Sequence, residues 1–280
     1  MAPPLTGLNC IEMKILILSA EKQQEIHRIT DEAKRRGHKI TFRILKKGLK
    51  INPDKFDVLL LRAIIGNVKL AERIAEKFYL REKPVVDEKL AKKIDRNKME
   101  NYIVFMHKHL YIPKTEYFTK SNLIKIKKFD SEWIVLKPLS GKRGIGIERI
   151  HKNELESRLK KFGETTYLAQ EFAEIKKEYR VYVIDGKAIG GMEKVSKNWI
   201  HNIYQGAKPK KAILSTKIKE VAIDAAKSVE TEIAGCDIGT TKKGLFVIEV
   251  NRSPGFAGYE SLGKKFAVEI VKYVERKLKK

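Results

Sequence analysis

The strongest constraint on this chain is the alternation, along its first third, of short apolar runs with stretches of helical period. Lys14 to Ser19 is an apolar run of strand length, followed by Ile26, Ile29 and Ala33 at helical spacing up to Gly37. Ile40 to Leu45 and Asp57 to Leu61 read as further strands. Leu70, Ile74 and Phe78 then mark a second helix before Pro84-Val85-Val86. Strands separated by helices pair in parallel, so an α/β unit with a parallel sheet is expected. No glycine-rich turn joins the first strand to its helix, where a dinucleotide fingerprint would have to lie.

The remainder reads differently. A helix from Lys98 carries Met99, Ile103 and Met106 and ends before Tyr111-Ile112-Pro113, where proline stops it. Trp133 to Lys137 reads as a buried strand, Pro138 to Gly146 as a loop, and Leu168 to Phe172 and Tyr179 to Ile184 as more strands. Ser215 is placed to cap a helix bearing Ile218, Val221, Ala225 and Val229, after which two strands flank Lys242-Lys243-Gly244 as a hairpin. The C-terminal half is therefore α+β. No apolar run approaches the ~20 residues of a membrane span. Met1 to Glu12 has no basic region ahead of an apolar core, so cytoplasmic residence is the expectation, with this stretch a tail outside the fold. Cys10 and Cys236 offer neither a disulfide framework nor zinc-ligand spacing. The net charge of +24 attracts polyanions. It leaves nucleic acid, anionic small substrates and mixed solvated helix faces all open.

Two segments carry chemistry. Lys137-Pro138-Leu139-Ser140-Gly141-Lys142-Arg143-Gly144-Ile145-Gly146 ends a strand in a lysine and opens into a loop with three glycines. Backbone N–H groups of such a loop close around phosphate oxygens while Lys137 and Lys142 or Arg143 supply charge. The spacing is not that of a P-loop, and a plain hairpin with basic decoration is the competing reading. The second segment is the last hairpin, with Asp237 on one arm and Glu249 and Asn251 on the other. Strand period puts Glu249 and Asn251 on one face, and a turn symmetric about Lys243 sets Asp237 opposite Glu249. Facing carboxylates repel unless a proton or cation intervenes, and hard oxygen ligands suit magnesium. A slipped register would instead turn one carboxylate to solvent.

Taken in order, the lysine strand with its glycine loop, Gln170-Glu171-Phe172, Glu178-Tyr179-Arg180, Trp199-Ile200-His201-Asn202 with Gly206, Asp237, and Glu249-Val250-Asn251-Arg252-Ser253-Pro254-Gly255 resemble the RimK-like ATP-grasp ligases from about Asp95 to Tyr259. The resemblance implies an ATP-grasp fold behind an N-terminal pre-ATP-grasp domain. The divisions are then a tail at 1–12, the parallel-sheet domain at 13–95, a central subdomain at 96–168 and a C-terminal subdomain at 169–280. It implies that Lys98 and Lys137 contact ATP phosphates beside Gly141, Lys142, Gly144 and Gly146, that Gln170, Glu171, Phe172 and Ala173 form the adenine hinge, and that Glu178 faces the ribose. Arg180, Lys194 and Asn202 would serve the reaction, Lys194 standing where relatives usually carry Arg. Asp237, Glu249 and Asn251 would hold two magnesium or manganese ions.

The implied activity is an ADP-forming ligation of an amine, L-glutamate, to an anionic carboxylate acceptor through an acyl phosphate. The acceptor is expected to be the acidic tail of a pterin or deazaflavin coenzyme, with a ribosomal-protein C-terminus as the alternative. Homo-oligomer formation is left open. From another class, a basic nucleic-acid-binding protein on a vestigial scaffold would also account for the charge.

Overall fold

The structure, a computed structural model, describes residues 12–92, 97–139, 144–162, 166–200, 203 and 206–279. Its first unit runs β1 (Lys14–Ser19), α1 (Gln24–Arg35), β2 (Lys39–Ile44), β3 (Val58–Leu61), α2 (Val68–Tyr79) and β4 (Val85–Val86). The strands form one parallel sheet in the order β2-β1-β3-β4. Its central strands are apolar on both faces because both are covered. Ile15, Ile17 and Leu60 pack towards α1, and Leu16, Leu18, Leu59 and Leu61 pack towards α2. The helical stripe expected for α1, Ile26, Ile29 and Ala33, is the buried one.

After α3 (Lys89–Lys92), α4 (Lys98–His107) departs from expectation. It buries Met99, Tyr102 and Phe105, while Ile103 and Met106 are exposed. The two aromatic rings offer more apolar surface than the aliphatic pair and decide which face turns inward.

The second unit comprises β5 (Thr115–Tyr117), α5 (Leu123–Lys127), β6 (Trp133–Pro138), β7 (Glu148–His151), α6 (Leu155–Phe162) and β8 (Tyr167–Glu171). Its antiparallel sheet has the order β5-β8-β6-β7. Phe118, Ile126, Ile134, Leu136, Ile150 and Leu155 pack on one face. Alternation therefore turns Val135, Lys137 and Gln170 to the other. Because β8 is in this sheet, the change of sheet falls after Glu171 and not at the expected 168/169 division.

The third unit holds β9 (Lys177–Ile184), β10 (Lys187–Val195), β11 (Lys208–Lys211), α7 (Thr216–Ser228), β12 (Ile233–Thr241), β13 (Gly244–Asn251), α8 (Ala257–Glu260) and α9 (Phe266–Leu278). Its antiparallel order is β11-β10-β9-β12-β13. Helix α7, whose Ser215 cap accepts from the Ile218 amide, covers one face, packing with Val181, Val183, Cys236 and α4. Helix α9 belongs to a core shared with β1, β3 and Tyr182 of β9, which joins the third unit to the first. Among the described residues no helix is long and apolar enough to cross a membrane.

Candidate active site

The face of the third sheet turned away from α7 carries a ladder of charges. Cross-strand register sets Glu178 of β9 opposite Lys194 of β10, Arg180 opposite Asp237 of β12, and Asp237 opposite Glu249 of β13. The last pairing arises by a different route from a symmetric turn. The turn is the two-residue Lys242-Lys243, which alone would align Asp237 with Ile248. A bulge between Asp237 and Ile238 takes up the extra residue.

Arg180 grips Asp237 with both prongs, Nε to Oδ1 at 2.8 Å and Nη2 to Oδ2 at 2.7 Å, and Lys194 Nζ reaches Oδ2 at 3.0 Å. Lys194 also pairs with Glu178. At the outer end Glu249 Oε1 lies 3.9 Å from Arg180 Nη2 and accepts from Asn251 Nδ2 at 3.0 Å. Signs thus alternate from Glu178 through Lys194, Asp237 and Arg180 to Glu249. Burial opposes ionisation of Asp237, but Arg180 and Lys194 outweigh it and hold the carboxyl below the usual carboxylate range. For Lys194, burial is likewise outweighed, by Asp237 and Glu178, and its pKa rises. Burial pushes Glu178 up to about 7, against the attraction of Lys194.

Two expectations change here. The cation between the facing carboxylates is not reserved for a metal, because β9 and β10 supply Arg180 and Lys194. The Glu178 carboxylate, expected at the ribose, is buried and paired with Lys194.

The facing wall comes from the second sheet. Lys137 Nζ donates to Gln170 Oε1 at 2.6 Å and to the Tyr102 hydroxyl at 3.3 Å, and Tyr102 donates to the Ile248 carbonyl at 3.4 Å. Two hydrogen bonds therefore connect the strand-end lysine to the residue beside Glu249. Lys98, one helical turn before Tyr102, donates to the Pro138 carbonyl at 2.8 Å. Burial lowers its pKa and Lys137 lowers it further, while Glu249 opposes the shift, so Lys98 lies in the field of both walls. Tyr102 was not foreseen, although its spacing of four from Lys98 puts the two on one helix face.

In the hinge the Glu171 amide donates to Lys114 and the Phe172 amide to Trp133, so both are already used. The Glu171 carboxylate accepts from the amides of Asp130 and Ser131 at 2.8 and 3.0 Å and is a structural clamp. Gly144 and Gly146 have φ of +72° and +76°, and a Cβ at Gly146 would stand 2.9 Å from Pro138 Cγ. Both positions therefore favour glycine. Gly141, Lys142 and Asn202 lie outside the described residues.

Residues 95–274 match the model of the RimK-like ATP-grasp domain. The chain belongs to that family. It is 27% identical to a probable alpha-L-glutamate ligase of Methanococcoides burtonii, over 94% of this chain and 96% of that protein. It is 31% identical to the coenzyme gamma-F420-2:alpha-L-glutamate ligase of Methanococcus maripaludis, over 50% of this chain and 53% of that one. Among solved structures, the ATP-grasp ligase PsnB in complex with a minimal precursor, Mg and ADP superposes with a TM-score of 0.75, covering 95% of this chain and 98% of that one at 17% identity. The fold is thus the ATP-grasp fold and the enzyme class an ATP-grasp ligase, which uses ATP.

The donor set of this RimK-like chain fits a hard cation at the outer end of the ladder. Glu249 and Asn251 present oxygens on one strand face, whereas three of the lone pairs of Asp237 are occupied by Arg180 and Lys194. Among the described residues no three His, Cys, Asp or Glu side chains cluster on one point, so the asparagine is needed to complete the set.

Proposed function

We propose that this ligase adds L-glutamate to the acidic tail of a pterin- or deazaflavin-type coenzyme. The observation that carries the reading is the pairing of Lys137 with Gln170 on one wall and the Arg180–Asp237–Glu249 series on the other, joined through Tyr102. The first wall is suited to phosphate charge, and the second provides fixed positive groups where an acyl phosphate would form. The names of the relatives favour glutamate as the amine. The net charge of +24 suits an anionic acceptor.

In this reading the acceptor carboxylate attacks the γ-phosphorus of ATP, releasing ADP and leaving an acyl phosphate. The glutamate amine then attacks the acyl carbon, phosphate departs and the amine loses a proton. Lys98 and Lys137 neutralise the triphosphate. Arg180 and Lys194, fixed by Asp237 and Glu178, keep positive charge where the phosphate leaves. Two magnesium ions, held by Glu249, Asn251 and the remaining lone pair of Asp237, would supply Lewis-acid charge to the phosphates. No Ser, Cys or His nucleophile is required.

The test is mass spectrometry of reactions containing ATP, magnesium, glutamate and coenzyme acceptors with free tail carboxylates. A gain of one glutamyl unit with stoichiometric ADP supports the proposal. Glutamylation of a ribosomal-protein C-terminal peptide alone would move the acceptor to protein. Steeply salt-dependent nucleic-acid binding without acceptor-dependent ADP release would end the ligase reading.

A further inference from the structure

The chain has two tryptophans, Trp133 and Trp199, and both surround one arginine. The Arg149 guanidinium lies 5.0 Å from the Trp133 ring centre, 5.1 Å from Phe172 and 5.5 Å from Trp199. Phe172 and Trp199 themselves meet edge to face at 6.0 Å. The register of β6 and β7 accounts for part of this. Arg149 sits opposite Val135 and Trp133 opposite His151, so Arg149 and Trp133 are diagonal neighbours on one face. The other two rings come from elsewhere, Phe172 from the hinge just after β8 and Trp199 from the segment following β10. None of the three rings belongs to a hydrophobic core cluster, and the core of the second sheet lies on its opposite face. Ordinary core packing therefore does not explain their convergence. Arg149 and two of the rings, Phe172 and Trp199, border a cleft of about 550 Å³ whose walls also include Glu174, Ile175 and Asn198. This cleft adjoins the hinge on which the family resemblance places adenine.

We propose that Arg149 is a positioning residue that latches Trp199 of the third unit onto the second, preforming the base end of a purine-nucleotide site. The inference rests on the ATP-dependent reading above. A flat, weakly hydrated guanidinium is suited to the task because it can stack on several rings at once without a carboxylate partner. Trp199 follows Lys194 by five residues, so the latch also restrains the chain leaving that end of the charge ladder. With both tryptophans in the cage, nucleotide binding is directly visible in tryptophan emission.

The probe is ADP with magnesium, titrated into the full-length protein. Emission should change in the parent and in Trp133→Phe, and the change should be lost in Trp199→Phe. Arg149→Ala should weaken ADP binding and raise the KM for ATP by about threefold to tenfold, the loss of a stacked cation, with kcat little altered. Arg149→Lys, which keeps a cation, should recover part of this. Because Arg149 is exposed, the melting temperature without nucleotide should be unchanged, so weakened binding is separable from misfolding. An Arg149→Ala protein that binds ADP as tightly as the parent, or a full emission change in Trp199→Phe, overturns the latch while leaving the ligase reading intact. A parent protein that does not bind ADP overturns both.

Discussion

The two carboxylates assigned to one metal set, Asp237 and Glu249, should differ sharply in what their neutralisation costs the ligand-free protein. Asp237 is 1% exposed and counters two cations, the largely buried Arg180 through both prongs and the buried Lys194 at 3.0 Å. Removing one partner of a buried ion pair costs about 3–5 kcal/mol, because the remaining charge stays desolvated. Unfolding entropy of ~2.1 cal/mol/K per residue over 280 residues amounts to about 0.6 kcal/mol per degree. Asp237→Asn should thus lower the melting temperature by about 5–8 °C. Glu249 has a side chain 47% exposed and lies 3.9 Å from Arg180, so Glu249→Gln should cost less than about 1 kcal/mol, or under ~2 °C. Glu249→Gln should instead lose most of the turnover and most of the melting shift given by Mg-ATP, which stabilises by binding the native state. Calorimetric melts of both variants with and without Mg-ATP measure the stability changes, and steady-state kinetics measures the turnover. Equal destabilisation by the two substitutions, or an unshifted Asp237→Asn melt, would show that the ladder does not hold Asp237 as described. Repulsion across the hairpin predicts the reverse for Asp237, a gain in apo stability, so the sign alone separates the arguments.

The other expectations concern the same face. Arg180→Lys replaces a two-pronged donor with a point charge and should lower both melting temperature and kcat, the former by about 2–5 °C at ~1–3 kcal/mol; unchanged melts and kinetics would remove Arg180 from the ladder. Lys137→Met should raise the KM for ATP about tenfold, as expected for loss of a phosphate charge, and steady-state kinetics at limiting ATP would detect it. The pKa of Asp237 is depressed in the folded state, so its stabilisation is complete above its unfolded value near 3.8 and is lost as pH falls through the lower folded value. The melting gap between parent and Asp237→Asn should accordingly narrow on acidification below about pH 3.8, and a gap that widens there would contradict the assignment.

What was legible in the sequence follows the range of the interactions involved. The parallel sheet could be read because β1 and β3 are apolar at every central position, a local signal that survives without tertiary context. The face of α4 could not, because two aliphatic residues at helical spacing competed with Tyr102 and Phe105, and only packing against β9 and α7 decided between them. The pairing of Asp237 with Glu249 was legible as two carboxylates on one hairpin, although a bulge and not turn symmetry produces it. Arg180 and Lys194 were identified as site residues through the resemblance. Their contact with Asp237 depends on β9 and β10 joining the same sheet, which no pattern within the hairpin could reveal. The aromatic cage around Arg149 gathers three elements far apart in the chain and left no local trace.

The first unit is not a passive neighbour of this site, and the Ser253-Pro254-Gly255 turn is where it acts. In a sheet of order β2-β1-β3-β4 the chain leaves β1 to one side for β2 and returns for β3 on the other, so the carboxyl ends of β1 and β3 form the switch point of the sheet, where open α/β sheets as a class leave a crevice. There the Ala20 amide donates to the Ala63 carbonyl at 3.0 Å, the Ala63 amide to Ser253 Oγ at 2.7 Å, and buried Arg62 to the Pro254 carbonyl at 3.3 Å. Ala63 has φ of +41°, a conformation that L-residues hold only when their surroundings require it. The Ser253 hydroxyl is one such requirement, and Ser253 follows Asn251 by two residues. Ser253→Ala leaves a buried amide unpaired, which costs about 1–3 kcal/mol, or about 2–5 °C on the scale above. It should also lower turnover by loosening the end of β13, whereas Ala63→Gly, which relieves the strain, should recover part of the melting temperature in the double variant. A Ser253→Ala protein that melts and turns over like the parent would show that the turn rests on the first unit without being held by it.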